Sequence, residues 1–213
     1  QEIIEQTGLS DPLLRADPVG LAGEGESFLV PVTYMNSSAD LKDFVGRHGG
    51  IVCTSTNASG ALQWAFDRAG PQGSVLFFPD QHLGRNTGAA MGIDESLMPT
   101  WTPGIGAMGD VQGSRIILWH GFCSVHKRFT VEQIEAFRER EPEGIVVVHP
   151  ECPKATVDVS DANGSTQFIR NFVQQQKAGA KIAIGTEINM VARLAQEHPD
   201  KHIECLDEEI CPC

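Results

Sequence analysis

The chain has 213 residues, of which 41% are hydrophobic and 21% charged, so one or two globular domains are favoured and a disordered protein is excluded. Its 28 acidic side chains outnumber 16 lysines and arginines, and the net charge of -12 repels phosphodiester backbones and anionic membrane surfaces. Nucleic acid and membrane are therefore not expected as partners, whereas a small anionic substrate can still bind to backbone N–H groups at helix N-termini.

The cysteines and the first residues of the chain indicate a compartment. No apolar run approaches the length of about 20 residues that a membrane span needs, and the start lacks the basic and apolar regions of a secretory signal. The cysteines are scattered instead of forming a compact disulfide framework: Cys53, Cys123, Cys152, Cys205, Cys211 and Cys213. We therefore expect a cytoplasmic protein with reduced thiols, in which any metal site is gathered from distant segments.

Short apolar runs rich in β-branched residues alternate along the chain with segments of helical periodicity. Strands are predicted at 28–34, 50–54, 74–79, 114–119, 144–150 and 181–186, and helices at 57–70, 130–141, 166–179 and 187–199. Residues 92–114 are rich in glycine and proline and are predicted to form a long surface loop. The alternation predicts an α/β fold of repeated three-layer α/β/α domains with short parallel sheets and functional loops at the carboxyl ends of the strands.

A weak internal repeat relates the two halves of the chain. In each half, a strand ends in two polar residues spaced two apart, hydroxyl residues then precede a predicted helix, and a later apolar segment leads to a cysteine. The equivalent residues are Tyr34 and His149, Asn36 and Glu151, Ser55 with Thr56 and Ser165 with Thr166, and Cys123 and Cys213. We infer two related α/β domains, residues 27–123 and 124–213, preceded by a connecting segment at residues 1–26.

Each of these residues also has an ordinary structural interpretation. A cysteine after an apolar strand, such as Cys123, is commonly a small buried hydrophobe. Serine and threonine before a helix, such as Ser165, are commonly N-caps, although capping and ligand binding can coexist. His149 can be a hydrogen-bonded structural histidine, but Glu151 two residues later favours a functional pair, because alternation along an extended segment would place both side chains on one side.

Several multi-residue stretches resemble the motifs of quinolinate synthases, in the same order. They are TYMNSSADLK, TSTNA, PDQHLGRN, ILWHGFCSVHKRF, HPECP, GST, IGTE and the final CPC, and they run from about residue 30 to residue 213. The resemblance implies three similar α/β domains, pseudo-symmetric around a central active site with a [4Fe–4S] cluster held by one cysteine from each domain. It also implies condensation of iminoaspartate with dihydroxyacetone phosphate to quinolinate in de novo NAD biosynthesis, with L-aspartate oxidase or aspartate dehydrogenase supplying the iminoaspartate.

The resemblance also implies roles for individual residues. Cys123 and Cys213 are the expected cluster ligands, with Cys211 as the less favoured alternative to Cys213, whereas Cys53 and Cys152 are expected to be packing residues. His149, Glu151 and Tyr34 are the expected catalytic residues. The expected substrate-binding residues are Tyr34, Asn36, Ser55, His126, His149, Glu151, Ser165 and Thr166, and Thr186 is a weaker candidate.

The sequence departs from the family in one respect. The motifs of the family's first domain, including its cysteine, are not visible in residues 1–29, so the chain is expected to correspond to the second and third domains with a truncated C-terminal tail. Two alternatives remain: a non-catalytic α/β module that binds a phosphorylated metabolite, and an aldolase that holds a divalent metal through His126, His149 and Glu151.

Overall fold

The computed structural model describes residues 2–11 and 21–207, which belong to two compact units divided between Gly121 and Phe122. Each unit has a sheet with helices packed around it, so the predicted α/β layers are confirmed. The expected cluster ligand Cys213 and its alternative Cys211 lie outside the described residues.

The first unit alternates strands with helices for most of its length. Its elements are α1 (Glu2–Thr7), β1 (Leu29–Tyr34), α2 (Ala39–Arg47), β2 (Ile51–Cys53), α3 (Ala58–Ala69), β3 (Ser74–Phe78), α4 (Gln81–Ala90), a 3-10 turn (Glu95–Leu97), β4 (Thr100–Thr102), β5 (Gly106–Met108) and β6 (Ile116–Trp119). Within the described residues the six strands of this unit form one sheet in the order β2-β1-β3-β6-β4-β5. The sheet is parallel except for the antiparallel edge strand β5.

Alternation along the strands explains why helices cover both faces of this sheet. Val30 and Val32 belong to a core on one face with Leu62 of α3, whereas Leu29 belongs to a core on the other face with Val45 of α2. Successive side chains of a strand point to opposite faces, so a strand buried on both faces is apolar at nearly every position. The sequence of β1, LVPVTY, is buried throughout and matches this pattern.

The prediction of a surface loop at residues 92–114 is wrong. This segment contains the hairpin of β4 and β5, and β4 pairs in parallel with β6 through Trp101 and Trp119. The side chain of Trp101 is buried in the core on the α2 face, and Met98 is buried in the core on the other face. The hairpin therefore extends the sheet, and its antiparallel edge makes the sheet mixed.

The second unit is shorter and its described strands are all parallel. Its elements are a 3-10 turn (His126–Arg128), α5 (Val131–Arg140), β7 (Ile145–Val148), α6 (Lys154–Val159), β8 (Ala162–Asn163), α7 (Thr166–Gln175), β9 (Lys181–Gly185), α8 (Ile188–Glu197) and β10 (His202–Cys205). The four described strands are ordered β10-β9-β7-β8. Apolar side chains of β7 and β9 form its core with those of α5, α7 and α8.

Local hydrogen bonds fix where the helices of this unit begin. Thr130 and Gln133 form a reciprocal capping box at the start of α5. Ser165 caps α7 by accepting a hydrogen bond from the N–H of Phe168 at 3.3 Å. Within the described parts of the chain, no helix has the length and apolar character required to cross a membrane.

Candidate active site

The second unit gathers polar side chains at the carboxyl edge of its parallel sheet. Strand β7 ends at Val148, directly before His149, and β9 ends at Gly185, directly before Thr186. Ser165 lies one residue beyond the end of β8, after Gly164. Because the carboxyl ends of parallel strands meet at one edge, these residues are brought together by the topology.

His149 and Glu151 form a buried pair at this edge. Nδ1 of His149 lies 3.1 Å from Oε2 of Glu151, and their side chains are 2% and 5% exposed, so water is largely excluded from the contact. The sequence interpretation assumed an extended segment, but the residues lie in a turn in which the N–H of Cys152 donates to the carbonyl of His149 at 3.0 Å. The turn, and not strand alternation, makes the two side chains meet.

His126 packs against this pair from the 3-10 turn at the start of the unit. Its ring stacks on that of His149, with centroids 4.5 Å apart, and its Nε2 lies 3.2 Å from Oγ1 of Thr186. Its Nδ1 lies 3.4 Å from Oε2 of Glu151 but makes no hydrogen bond among the described residues. Thr186, a weaker candidate in the sequence analysis, is 1% exposed and supports the ring of His126.

Burial determines the charge of His126. Burial is the largest cause and His149 adds to it, so the pKa of this imidazole is lowered to about 4 although the carboxylates of Glu151 and Glu187 oppose the shift. Removing a cation from water is costly, so the neutral ring is favoured near pH 7. A neutral imidazole has one nitrogen available as an acceptor or a metal ligand.

Cys123 completes the group. One ligand atom each from Cys123, His126 and Glu151 lie within 4.8 Å of one another, a set that can hold a metal ion. The spacing Cys123-x-x-His126 is the sequence signal for this contact, and the chain turns between the two residues, where the N–H of Lys127 donates to the carbonyl of Cys123 at 3.1 Å. The thiol of Cys123 is half-buried, which suits a residue that must remain accessible to a metal group.

The other described cysteines are more deeply enclosed. Cys152 donates a hydrogen bond to the carbonyl of Gly185 at 3.6 Å, and Cys205 donates to the carbonyl of Thr186 at 3.7 Å. Cys53 lies in the core of the first unit, where burial raises the pKa of its thiol to about 12. These positions fit the expectation that Cys53 and Cys152 are packing residues.

Two helix N-termini of the second unit differ in charge. At α8 the carboxylate of Glu187 accepts hydrogen bonds from the N–H groups of Asn189 and Met190, so an anion is already present there. At α7 the cap is the neutral, buried hydroxyl of Ser165, and Thr166 beside it is exposed. The N-terminus of α7 is therefore the one suited to binding a phosphate or carboxylate.

The first unit carries the remaining predicted residues at the carboxyl ends of its adjacent strands β1 and β2. Tyr34 is the last residue of β1 and is buried, whereas Asn36 lies in the following bend and is exposed. Ser55 lies in a turn before α3 and is not its N-cap, which is Asn57. The side chain of Asn57 turns back to accept from the N–H of Thr54 at 2.7 Å, so it does not cap α3.

The fold and this group of residues define an α/β protein that presents imidazole, carboxylate, hydroxyl and thiol groups at the carboxyl ends of parallel strands. Residues 22–213 match the family model described as quinolinate synthetase A protein. The chain belongs to this family.

Curated relatives named quinolinate synthase support the same assignment. The chain is 56% identical over 193 residues to the protein of Corynebacterium glutamicum, covering 89% of the chain and 48% of the relative. It is 50% identical over 190 residues to that of Rhodopirellula baltica, covering 87% and 48%, and 47% identical over 188 residues to that of Bacillus subtilis, covering 87% and 50%. The chain thus spans about half the length of these relatives.

Proposed function

We propose that the chain is part of a cytoplasmic quinolinate synthase, which condenses iminoaspartate with dihydroxyacetone phosphate in NAD biosynthesis. The observation that carries the proposal is the buried contact of His149 and Glu151 beside the half-buried thiol of Cys123, in a chain 56% identical to a curated quinolinate synthase over 193 residues. The iminoaspartate would come from L-aspartate oxidase or aspartate dehydrogenase.

The site has features that suit a [4Fe–4S] cluster. Thiolates are the ligands that such clusters require, and Cys123 is the least enclosed cysteine of the described part of the second unit. In the proposal Cys123 and Cys213 hold the cluster, with Cys211 as the alternative to Cys213. When bound, the cluster supplies a Lewis-acidic iron that polarises a substrate oxygen.

His149 and Glu151 are the proposed acid and base. The 3.1 Å separation between Nδ1 and Oε2 allows a proton to pass between the two side chains. The N–H of Glu151 also approaches Nδ1 of His149 at 3.3 Å, and accepting this bond places the ring proton on Nε2. The carboxylate of Glu151 can then take a proton from carbon or nitrogen and pass it to Nδ1, while Nε2–H is given to a substrate oxygen that leaves as water, so the imidazole ends neutral.

The remaining residues are proposed to bind the anionic ends of the substrates. Ser165 and Thr166 offer hydroxyl donors and free N–H groups at the start of α7, which suit a phosphate or carboxylate. Tyr34, Asn36 and Ser55 offer neutral donors at the carboxyl edge of the first unit, with Tyr34 also assigned to catalysis. The role proposed for His126 is to line the site in its neutral form.

The test uses the longest natural form of the chain, purified anaerobically, with iron, acid-labile sulfide and quinolinate formation measured together. His149→Ala and Glu151→Gln should each keep iron and sulfide but lose about a hundredfold or more in rate, the typical cost of removing a general acid or base. Cys123→Ser should instead lose iron and sulfide, because it removes a cluster ligand.

Cys53→Ser and Cys152→Ser are matched controls, because both change a thiol that lies in a hydrophobic core. Both should keep the cluster. A normal sulfide content in Cys123→Ser would refute the ligand assignment, and near-normal turnover in both His149→Ala and Glu151→Gln would move the acid and base to other residues.

A further inference from the structure

The second unit contains a set of three different metal-ligating groups. Cys123, His126 and Glu151 each present one ligand atom, and these atoms lie within 4.8 Å of one another. The carboxylate and the imidazole are buried, whereas the thiol is half-buried. The set differs from a cluster of exposed acidic residues, because its members are of three chemical types and two are removed from water.

His126 provides independent evidence that a cation belongs in this set. The residue is only 8% exposed, and its Nδ1 has no hydrogen-bond partner among the described residues. When Nε2–H donates to Oγ1 of Thr186, at 3.2 Å, the lone pair of Nδ1 faces Oε2 of Glu151 at 3.4 Å. Two acceptors then face each other in a buried place, an arrangement that a positive ion between them would stabilise.

The spacing and the chemistry of the ligands select the type of ion. Zinc bonds of roughly 2.0–2.1 Å to nitrogen and 2.0–2.2 Å to oxygen place tetrahedral ligand atoms about 3.5 Å apart, close to the separation of Nδ1 and Oε2. Thiolate and imidazole favour zinc-type ions over magnesium or calcium. We propose that Cys123, His126 and Glu151 bind one zinc-type divalent ion in the cluster-free protein, with water as the fourth ligand.

Thr186 orients the imidazole of His126 in this site. Histidines that bind a metal through one nitrogen commonly donate the other N–H to an oxygen, which fixes the ring and its tautomer. Oγ1 of Thr186 is placed to accept such a bond from Nε2, and Thr186 is 1% exposed. The imidazole is therefore oriented for a metal before any ion arrives.

The ion and an iron–sulfur cluster would compete for the same thiolate. Zinc bound through Cys123 would block cluster assembly until it is removed. This inference does not depend on the proposed activity: failure to make quinolinate would leave the ion site intact, and failure to bind the ion would leave the proposed activity intact.

The experiment is a titration of the cluster-free, chelator-treated chain with Co²⁺, which reports thiolate and tetrahedral coordination by its absorption spectrum. One equivalent should bind, with a thiolate-to-cobalt charge-transfer band, and Zn²⁺ should displace it. Cys123→Ser should abolish the band. His126→Ala and Glu151→Gln should each weaken binding by more than Thr186→Val, for which we expect a loss of about tenfold with the band retained.

Three controls identify the ligands. His120→Ala and Cys205→Ser should bind Co²⁺ normally, since His120 is exposed and the thiol of Cys205 is turned to the carbonyl of Thr186. A double variant, Cys211→Ser with Cys213→Ser, should also keep the band. No binding by the unmodified chain, a band that survives Cys123→Ser, or a band lost only in the double variant would overturn the proposal.

Discussion

His126 shows how strongly burial acts on a single residue. Burial is the main reason why its pKa is lowered to about 4, and it also removes Nδ1 from water. The orientation of the ring is therefore set by contacts with neighbouring side chains and not by solvent. Thr186 binds one nitrogen, His149 stacks on the face and Glu151 approaches the other nitrogen. A neutral, fixed imidazole of this kind suits ligand or metal binding better than it suits a structural ion pair.

Cys53 is the residue for which burial predicts a dependence of stability on pH. Its thiol has a folded pKa of about 12, raised by burial from an ordinary value near 9, so the unfolded chain releases this proton first as the pH rises. The stabilisation is complete below pH 9 and is lost as the pH increases towards 12. Above pH 9 the free energy of unfolding should fall by about 1.4 kcal/mol more per pH unit in the unmodified chain than in Cys53→Ala.

Urea unfolding in a reductant at several pH values measures this difference. Tryptophan fluorescence reports the relevant unit, because all 3 tryptophans, Trp64, Trp101 and Trp119, lie in it with Cys53. The comparison at pH 7 corrects for the packing lost in Cys53→Ala. Equal slopes for the two proteins above pH 9 would contradict the prediction.

Helix packing predicts opposite effects for two glycines that both lie in helices of the first unit. A Cβ on Gly84 of α4 would lie 2.6 Å from Leu118 and 2.8 Å from Phe77, so Gly84→Ala should destabilise the unit by about 1–3 kcal/mol. A Cβ on Gly60 of α3 would meet no atom within 4 Å, so Gly60→Ala should stabilise by up to about 1 kcal/mol through helix propensity. Urea midpoints from tryptophan fluorescence test both, and destabilisation by both variants would show that helix packing is not the cause.

Those elements with strong local patterns could be predicted from the sequence. Strand β1 and helix α7 have apolar spacing that indicates both their type and the faces they bury. The hairpin of β4 and β5 could not be predicted, because its strands have three residues each and Trp101 is buried by the sheet it joins.

The candidate site was only partly predictable for the same reason. Spacing drew attention to His149 and Glu151, but their contact arises from a turn. The approach of Thr186 to His126 joins residues 60 positions apart, and periodicity carries no information about such a pair. The motif resemblance predicted that His126 belongs to the site. That its ring is buried and neutral could be learned only from the structure.

At the scale of the whole molecule, the number of accessible thiols limits what the chain can bind. Cys53, Cys152 and Cys205 are all buried, which leaves Cys123 as the half-buried thiol of the described residues. The proposed function assigns one further ligand to Cys213 or Cys211. The resemblance implies a cluster with three thiolates, one from each of three domains, and this chain would supply two of them.

We therefore expect the 213-residue chain to hold a [4Fe–4S] cluster poorly and to form no detectable quinolinate. With two thiolates, two irons would lack protein ligands and would be open to solvent and oxygen, so iron and sulfide should be bound in less than stoichiometric amounts. The chain and its longest natural form should be reconstituted side by side without oxygen, and their sulfide content and product compared. A full cluster and equal turnover in the 213-residue chain would contradict this expectation and would mean that the chain itself supplies a third thiolate. Cys211→Ser and Cys213→Ser, made one at a time, would then show whether both cysteines of the final CPC are ligands.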